Sequence, residues 1–296
     1  HVWLNQYNPV HLSENPVFVY TNVQNNTATV NIETTVVNES YNNSTITVSA
    51  IITDRSGKII GKTAEQPVTL SINEKKTIRQ KLSVNKPRLW TLEDPYLYRV
   101  IPVVKLNGKI IDSDKLRFGI RTIEIKTNGL FLNGKHIKLK GTNNHQDHAG
   151  VGSALPDALQ YYRIKLLKEM GVNAYRTSHN PPTPELLQAC DELGMLVLDE
   201  NRLIGTSTEY MSQFEKLILR DRNHPSVIMW SIGNEEGWIH GNDIGKRLAL
   251  TLIQRQKELD PSRVSTYGAD NGNTWTGINE VIPIRGFNYR IPAIDD

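Results

Sequence analysis

Residues 226–235 read SVIMWSIGNE, an unbroken apolar run that ends in an amide and a carboxyl group. A run of this length, rich in β-branched residues and opened by Asn223-His224-Pro225, is typical of a strand that a parallel sheet buries on both faces. Glu235 then comes at the C-terminal end of the strand, where α/β barrels place their chemistry. In the plainer interpretation, Glu235 or Glu236 is the first solvated residue after the strand. The surrounding sequence favours a catalytic role for Glu235.

Two hydrophobic patterns divide the chain near Phe118. From about residue 12 to Phe118, apolar and polar residues alternate, as in Val30-Asn31-Ile32, and turn signals interrupt the alternation at short intervals. This pattern is typical of half-buried strands in an all-β sandwich. Beyond Gly119, short apolar strands alternate with helices of period 3.6, which is the pattern of repeated βα units. We therefore predict a multi-domain chain with a β-sandwich over 12–118 and an α/β (TIM-type) barrel over 119–296.

Four helices are predicted in the barrel region. Thr183 is expected to cap the second helix and Gly194 to end it, while Thr206 is expected to cap the third. Asn242 or Asp243 is expected to cap the fourth. The apolar face of the first helix is predicted to comprise Leu159, Tyr162, Leu166, Leu167 and Met170.

Six strands are predicted in the same region, fewer than the eight strands of a closed barrel. The barrel is therefore expected to be incomplete. The strands are expected near residues 137–142, 172–176, 195–199, 226–232, 263–267 and 283–288.

The composition describes a globular protein large enough for two domains. The chain has 296 residues, of which 38% are hydrophobic and 22% charged, with a formal net charge of +3. The 34 Lys and Arg are interspersed with 31 Asp and Glu and form no basic stripe, which argues against nucleic-acid binding. No apolar run reaches the roughly 18 residues of a membrane span. The single cysteine, Cys190, lies in an amphipathic helical pattern and is predicted to be a buried, inert thiol.

The sequence around the buried strand resembles the signature of glycoside hydrolase family 2, which includes β-galactosidases, β-glucuronidases and β-mannosidases. The signature covers residues 220–227 and 230–235. Residues 89–98 and 117–121 resemble the end of the family's immunoglobulin-like domain. The resemblance implies an immunoglobulin-like sandwich followed by an incomplete catalytic barrel of about six strands. The family's first three barrel strands are matched by residues 140–145, 173–181 and 199–202.

The resemblance also implies that the chain is a fragment. Family members begin with another β-domain, so residues 1–11 are expected to be the linker that leaves it. The nucleophilic glutamate of the family ends the seventh barrel strand, whereas residues 286–289 resemble the sixth. The nucleophile is therefore expected beyond the end of the chain, and residues 1–296 alone are expected to be inactive.

The resemblance assigns roles to individual residues. In a retaining glycosidase one carboxyl group attacks the anomeric carbon, while the other protonates the departing oxygen and later activates water. Glu235 is implied as the acid/base. Glu236 is the alternative acid, ranked lower because Gly237 and Trp238 indicate that the chain turns away there. The implied substrate-binding residues are Asn234, His145, His179, Arg176 and Tyr289, and the implied supporting residues are Asp199 and Glu200.

Structural roles stay open for several of these residues. Arg176 can orient a catalytic carboxylate or form an internal ion pair, and the two roles are compatible. A lone histidine is usually structural, but His145 and His179 follow neighbouring strands, which favours substrate binding. Asp199 and Glu200 are expected to support the charge network of the site rather than to act directly.

The function implied by the resemblance is that of a retaining exo-β-glycosidase acting on terminal β-D-galactosides. The alternatives are β-glucuronidase or β-mannosidase activity, or a non-catalytic carbohydrate-binding protein if the chain ends here. Leu203–Thr206 stand where some β-galactosidases have a Glu and a His that help bind magnesium, so neither a metal nor a cofactor is expected. The expected partner is a carbohydrate substrate, without nucleic acid or membrane. A homo-oligomer and a periplasmic or secreted location stay open.

Overall fold

The computed structural model of the chain describes residue 2, residues 4–270 and residues 275–289. The chain folds into two compact units, His1–Ile137 and Lys138–Asp296. None of the helices in the described part of the chain is both long and apolar enough to cross a membrane.

Among the described residues of the first unit, nine strands form a sandwich, namely β1 (Val10–Gln24), β2 (Thr27–Asn38), β3 (Ser44–Thr53), β4 (Ile59–Lys62), β5 (Gln66–Leu70), β6 (Lys75–Asn85), β7 (Tyr98–Leu106), β8 (Lys109–Ser113) and β9 (Leu116–Phe118). One antiparallel sheet has the order β1-β2-β6, and the other has the order β4-β3-β7-β8, with β5 on β3 and β9 on β7. Alternate residues such as Val30, Ile32 and Val36 are fully buried because one face of each strand packs into the core. The predicted β-sandwich is confirmed.

A smaller antiparallel sheet follows the sandwich. It comprises β10 (Ile123–Lys126), β11 (Gly129–Leu132) and β12 (Lys135–Ile137). The predicted barrel begins at residue 119, whereas these short hairpins precede the first barrel strand. Strands this short show too few alternations of apolar and polar residues for periodicity to distinguish them from the strands of βα units. Likewise β1 begins inside the predicted linker, since Val10 pairs with Asn38.

The described residues of the second unit form a six-stranded parallel sheet whose strands follow one another in chain order. An α-helix connects each of the first four strands to the next, and a short 3-10 helix, Gly277–Glu280, lies between the fifth and the sixth strand. This arrangement confirms the predicted partial TIM-type barrel. The elements are β13 (Gly141–Asn143), α1 (Asp157–Glu169), β14 (Ala174–Arg176), α2 (Pro184–Leu193), β15 (Leu196–Glu200), α3 (Thr208–Asp221), β16 (Val227–Asn234), α4 (Asp243–Leu259), β17 (Val264–Ala269) and β18 (Ile284–Phe287).

The ends of the helices follow the predicted capping signals closely. Thr183 is the N-cap residue of α2, and Gly194 ends that helix in the left-handed conformation, with φ 75°. Asn242 caps α4 by accepting two backbone N–H groups of its first turn. The predicted cap of α3, Thr206, is displaced by one residue. Ser207 is the N-cap because its side chain accepts the N–H three positions further on.

The predicted apolar face of α1 is only partly confirmed, since Leu167 packs against the core but three of its other members are exposed. Tyr162 and Met170 are 53% and 77% exposed, and Leu166 is also exposed. The helix instead buries Gln160 and Ile164. Its sequence places apolar side chains around most of the circumference, so a period of 3.6 residues does not select a single face.

An arginine near the start of β17 fastens the turn that precedes β16. The guanidinium of Arg263 donates to the carbonyl oxygens of Arg222, His224 and Val227 at 2.7–2.9 Å. It also pairs with the carboxylate of Asp260 at 2.7 Å, and both side chains are 5% exposed or less. Buried carbonyl groups need such partners because unsatisfied polar atoms are costly. The entry to β16, the strand that leads to Glu235, is thereby fixed.

The charge of Asp260 depends on this arginine. Burial opposes ionisation, but the Arg263 guanidinium and hydrogen bonds from Ser262 and Trp230 outweigh it and lower the pKa of Asp260 below its ordinary value. A lowered carboxyl pKa stabilises the fold above the unfolded-state pKa, and the contribution is lost as the pH falls through the folded-state pKa.

Replacing Arg263 with Met should strongly destabilise the barrel unit. The change leaves Asp260 as an uncompensated buried charge and removes donors from three carbonyl groups, so the free energy of unfolding should fall by roughly 3–5 kcal/mol. Urea denaturation followed by tryptophan fluorescence measures this fall. Arg255→Met is the matched control, since Arg255 pairs with Glu215 and Glu258 at the surface. That control should cost about 1 kcal/mol or less. Equal losses for the two variants would contradict the role of Arg263.

Candidate active site

A polar cavity lies where the barrel strands end. Its volume is about 290 Å³. Residues that end or directly follow four of the six strands line it, as expected when the carboxyl ends of parallel strands meet at one edge of a sheet. The lining residues are Asn143, Arg176, His179, Asn234, Glu235, Phe287, Asn288 and Tyr289.

Glu235 enters this cavity directly after β16. Its backbone is in the left-handed region, with φ 49°, which costs a residue other than glycine roughly 1–2 kcal/mol. The N–H of Glu235 donates to the carbonyl of Gly268 in β17 at 3.0 Å, which helps to hold this conformation. The Oε1 atom of Glu235 accepts from Nδ2 of Asn288 at 2.6 Å. Since Oε1 is an acceptor in this bond, Oε2 is the oxygen that can carry a proton into the cavity.

The amide of Asn234 has a defined orientation. Its Oδ1 atom accepts from Nη2 of Arg176 at 2.6 Å and from Nδ2 of Asn288 at 3.0 Å. Because both partners are donors, the oxygen must face them, and the Nδ2 group is left to donate elsewhere. A ligand hydroxyl in the cavity can accept from this NH₂ group.

Glu200, the last residue of β15, is a fully buried carboxylate. Its Oε2 atom accepts from Nε of Arg176 and from Oγ of Ser231, both at 2.7 Å. Its Oε1 atom lies 2.6 Å from Nδ1 of His179. Because a carboxylate only accepts, Nδ1 carries the proton in this bond. The Glu200 backbone N–H is also bound, by Oγ1 of Thr177 at 2.8 Å.

The cluster of Arg176, Asn234 and Asn288 packs against Gly268 of β17. A Cβ atom at position 268 would lie 2.7 Å from both Arg176 Nη2 and Asn234 Oδ1, and 3.1 Å from Asn288 Nδ2. Contacts below 3.0 Å are essentially never made by a Cβ atom, so the cluster requires glycine at this position.

The other predicted residues lie at different distances from the cavity. Tyr289 lines it and is 85% exposed. His145 contacts the ring of His179 edge to face, with centroids 5.3 Å apart. Asp199 is buried on the opposite face of β15 from Glu200, where Thr177 donates to it at 3.3 Å. Burial and the neighbouring carboxyl of Asp221 raise the pKa of Asp199 well above its ordinary value. The structure therefore brings Glu200, and not Asp199, into contact with the cavity residues.

Some residues of the site are not in the predicted set. Asn288 contacts both Asn234 and Glu235, and Ser231 contacts Glu200. The signal for Asn288 was its place one residue before Tyr289 at the end of a predicted strand. Ser231 is a polar residue within the otherwise apolar run of β16, and its hydroxyl group in that run was the available signal. Glu236, the alternative acid, does not line the cavity.

The fold and the site together define an α/β-barrel protein with a carboxyl group and fixed polar side chains at the strand ends. Two family models match the chain. The model described as "Glycosyl hydrolases family 2" matches residues 10–121, and the model described as "Glycosyl hydrolases family 2, TIM barrel domain" matches residues 123–213 and 205–287. The chain belongs to glycosyl hydrolase family 2.

Curated and solved relatives agree with this assignment. A β-galactosidase of Bacteroides ovatus is 33% identical over 97% of this chain and 39% of its own length. The structure of a family 2 member from Bacteroides cellulosilyticus has a TM-score of 0.91 at 34% identity, covering 98% of this chain and 41% of that one. A Bacteroides uniformis β-glucuronidase, covalently bound to a cyclophellitol-6-carboxylate aziridine, has a TM-score of 0.83 at 29% identity, covering 95% and 37%. The chain thus spans about two fifths of the length of these relatives.

Substituting Gly268 with Ala should disturb the cluster around Asn234. The added methyl group must displace Arg176 or Asn234, so we expect a loss of roughly 1–3 kcal/mol in the free energy of unfolding. Thermal denaturation measures this loss, and a crystal structure shows whether the 2.6 Å bond between the two side chains is broken. Gly237→Ala is the control because a Cβ atom there meets nothing within 4 Å. That substitution should change the stability by no more than about 0.5 kcal/mol. Equal stability of the two variants would refute the steric requirement.

Proposed function

We propose that the chain carries the acid/base half of the active site of a retaining exo-β-glycosidase that hydrolyses terminal β-D-galactosides. The observation that carries this proposal is the Asn234–Glu235 pair at the end of β16, with Glu235 facing the cavity and both side chains bound by Asn288. Membership of family 2 supports the reaction class.

Glu235 is proposed as the acid/base. In the first step its Oε2–H protonates the glycosidic oxygen as the bond to the anomeric carbon breaks. In the second step the same carboxylate takes a proton from the water that attacks the glycosyl-enzyme. Asn288 holds Oε1 and so keeps Oε2 directed at the departing group.

The nucleophile is proposed to come from residues other than those described. Glu235 is the only carboxyl group among the described residues that line the cavity. Glu200 is fully buried and already binds Arg176, His179 and Ser231, so it cannot reach an anomeric carbon. A retaining mechanism needs a second carboxylate about 5–5.5 Å from the acid/base. The covalently bound aziridine of the Bacteroides uniformis relative supports a covalent step in this family.

Arg176 and Asn234 are proposed to bind the sugar together. Asn234 donates from Nδ2 to the hydroxyl group next to the anomeric carbon, and Arg176 fixes the amide in that orientation. His179 presents Nε2 as its remaining polar ring atom, because its Nδ1–H is donated to Glu200. His145 and Tyr289 are proposed to border the same sugar ring.

The charges of the cavity favour a neutral sugar. Arg176 is the only guanidinium or ammonium group among the described lining residues, and it is already paired with the buried Glu200 at 2.6 Å. A uronic acid carboxylate needs a cation of its own, since burying an unpaired charge is costly. The β-galactosidase of Bacteroides ovatus supports the same choice. Glucuronide hydrolysis is the second candidate, favoured by the relative from Bacteroides uniformis.

Replacing Glu235 with Gln should remove proton donation while leaving the fold intact. In the gene product that contains these residues with all flanking coding sequence, kcat/KM for a galactoside with a poor leaving group should fall about 10²–10⁴-fold. The first step should suffer little when the leaving group is good, and azide should then restore turnover by replacing activated water. Steady-state kinetics with alkyl and nitrophenyl galactosides measure both effects. Equal losses on both substrates without azide rescue would assign the acid/base role elsewhere.

The choice of sugar can be measured directly. The same gene product should hydrolyse 4-nitrophenyl β-D-galactoside with a kcat/KM at least about 100-fold above that for the β-D-glucuronide, because the carboxylate finds no unpaired cation. Parallel assays of the two substrates at one pH give this ratio. A ratio that favours the glucuronide would replace the galactoside proposal with the second candidate.

A further inference from the structure

A second backbone amide after β16 is held by a side chain from β17. The N–H of Glu236 donates to the hydroxyl oxygen of Tyr267 at 3.0 Å. The preceding N–H, that of Glu235, donates to the backbone carbonyl of Gly268 in the same strand. Glu235 is therefore anchored on both sides by β17, which fixes the left-handed backbone that directs its carboxyl group into the cavity.

The hydroxyl group of Tyr267 also contacts a histidine side chain. It lies 3.0 Å from Nδ1 of His240, whose Nε2 atom lies 3.1 Å from Oδ1 of Asp270. Tyr267 is fully buried and His240 is 4% exposed. The hydroxyl oxygen accepts from Glu236, and in the tautomer that donates Nε2–H to the Asp270 carboxylate, Nδ1 accepts the hydroxyl proton of Tyr267. Every polar hydrogen in this chain of groups has an acceptor.

The protonation of Tyr267 suits this arrangement. Burial raises the pKa of its hydroxyl group well above the ordinary value, so the group stays protonated and can donate to His240 at neutral pH. The ring of His240 also contacts that of Tyr267 edge to face, with centroids 6.0 Å apart. The hydroxyl oxygen therefore has one orientation, in which its lone pair meets the Glu236 N–H.

We propose that Tyr267, supported by His240 and Asp270, is a positioning residue that holds the Glu235–Glu236 backbone so that the acid/base carboxyl faces the scissile bond. This proposal rests on the proposed function of Glu235. Tyr267 does not line the cavity and acts only through the backbone of the residue after the acid/base. Displacement of the Glu235 carboxyl group should impair proton transfer more than it impairs sugar binding.

The first arm of the test measures the backbone itself. In Tyr267→Phe, amide hydrogen exchange of residues 235–237 should accelerate roughly 3- to 10-fold, because the N–H of Glu236 loses its acceptor. Exchange in α4 should stay unchanged. Tyr175→Phe is the matched control, since Tyr175 is a similarly buried tyrosine, 2% exposed, in β14, which is separated from β16 by β15. Unchanged exchange at 235–237 in Tyr267→Phe would overturn the proposal whatever the activity.

The second arm measures catalysis in the full gene product. Tyr267→Phe should lower kcat for alkyl galactosides roughly 100-fold, as expected for a catalytic group misplaced by about 1 Å. It should leave KM, and the turnover of 2,4-dinitrophenyl galactoside, nearly unchanged. A merely structural role would lower both activities together with the melting temperature, and that result would overturn the proposal.

Substitutions at Asp270 test the supporting groups without touching the core. Asp270→Ala should also lower kcat for alkyl galactosides more than for 2,4-dinitrophenyl galactoside, but by a smaller factor than Tyr267→Phe. Asp270→Asn keeps an oxygen that can accept from His240 and should recover most of the activity. Equal losses in the two variants would remove Asp270 from the proposal. If the wild-type protein hydrolyses no glycoside, the proposed function fails, and amide exchange alone still decides whether Tyr267 orders the backbone.

Discussion

The buried carboxylate of Glu200 is the constraint on which the cavity depends. An ionised side chain with no exposure is stable only when donors surround it, and Arg176, His179 and Ser231 supply them. The guanidinium that neutralises Glu200 also holds the amide oxygen of Asn234. Arg176 and His179 thus take their orientations from a partner that is more deeply buried than they are. The polar groups presented to a sugar are the outer ends of this network.

The barrel geometry makes such a network possible. Adjacent parallel strands place Glu200 of β15 beside Ser231 of β16, whereas Arg176 of β14 is paired with Leu198, two residues before Glu200, and its side chain extends to the Glu200 carboxylate. Gly268 in β17 contributes by the absence of a side chain. At the other end of β16, Arg263 fixes the turn by which the strand begins. The two ends of the strand that leads to Glu235 are therefore held by β17 and by Arg263, the residue directly before it.

The sequence predicted most reliably what depends on local pattern. The buried run of β16 placed Asn234 and Glu235 at a strand end, and the capping signals located Thr183, Gly194 and Asn242. The face of α1 was not predictable, because apolar residues surround that helix and only its neighbours select the buried side.

The bonds of Arg263 to three carbonyl groups and those of Asn288 were not predictable either. These bonds join segments that are distant in sequence, and no residue spacing in the sequence indicates them. The roles of His145, His179 and Tyr289 remain predictions, since the structure gives their positions and not their ligands.

The shared carboxylate of Glu200 has an evolutionary consequence. Because one acceptor serves Arg176, His179 and Ser231, the effect of changing any of them depends on what occupies the other two positions. Such epistasis makes replacement of one residue at a time costly, since the loss of one donor leaves the buried Glu200 carboxylate with fewer hydrogen bonds. A substitution at one of these three positions is therefore expected to require compensation at the other two.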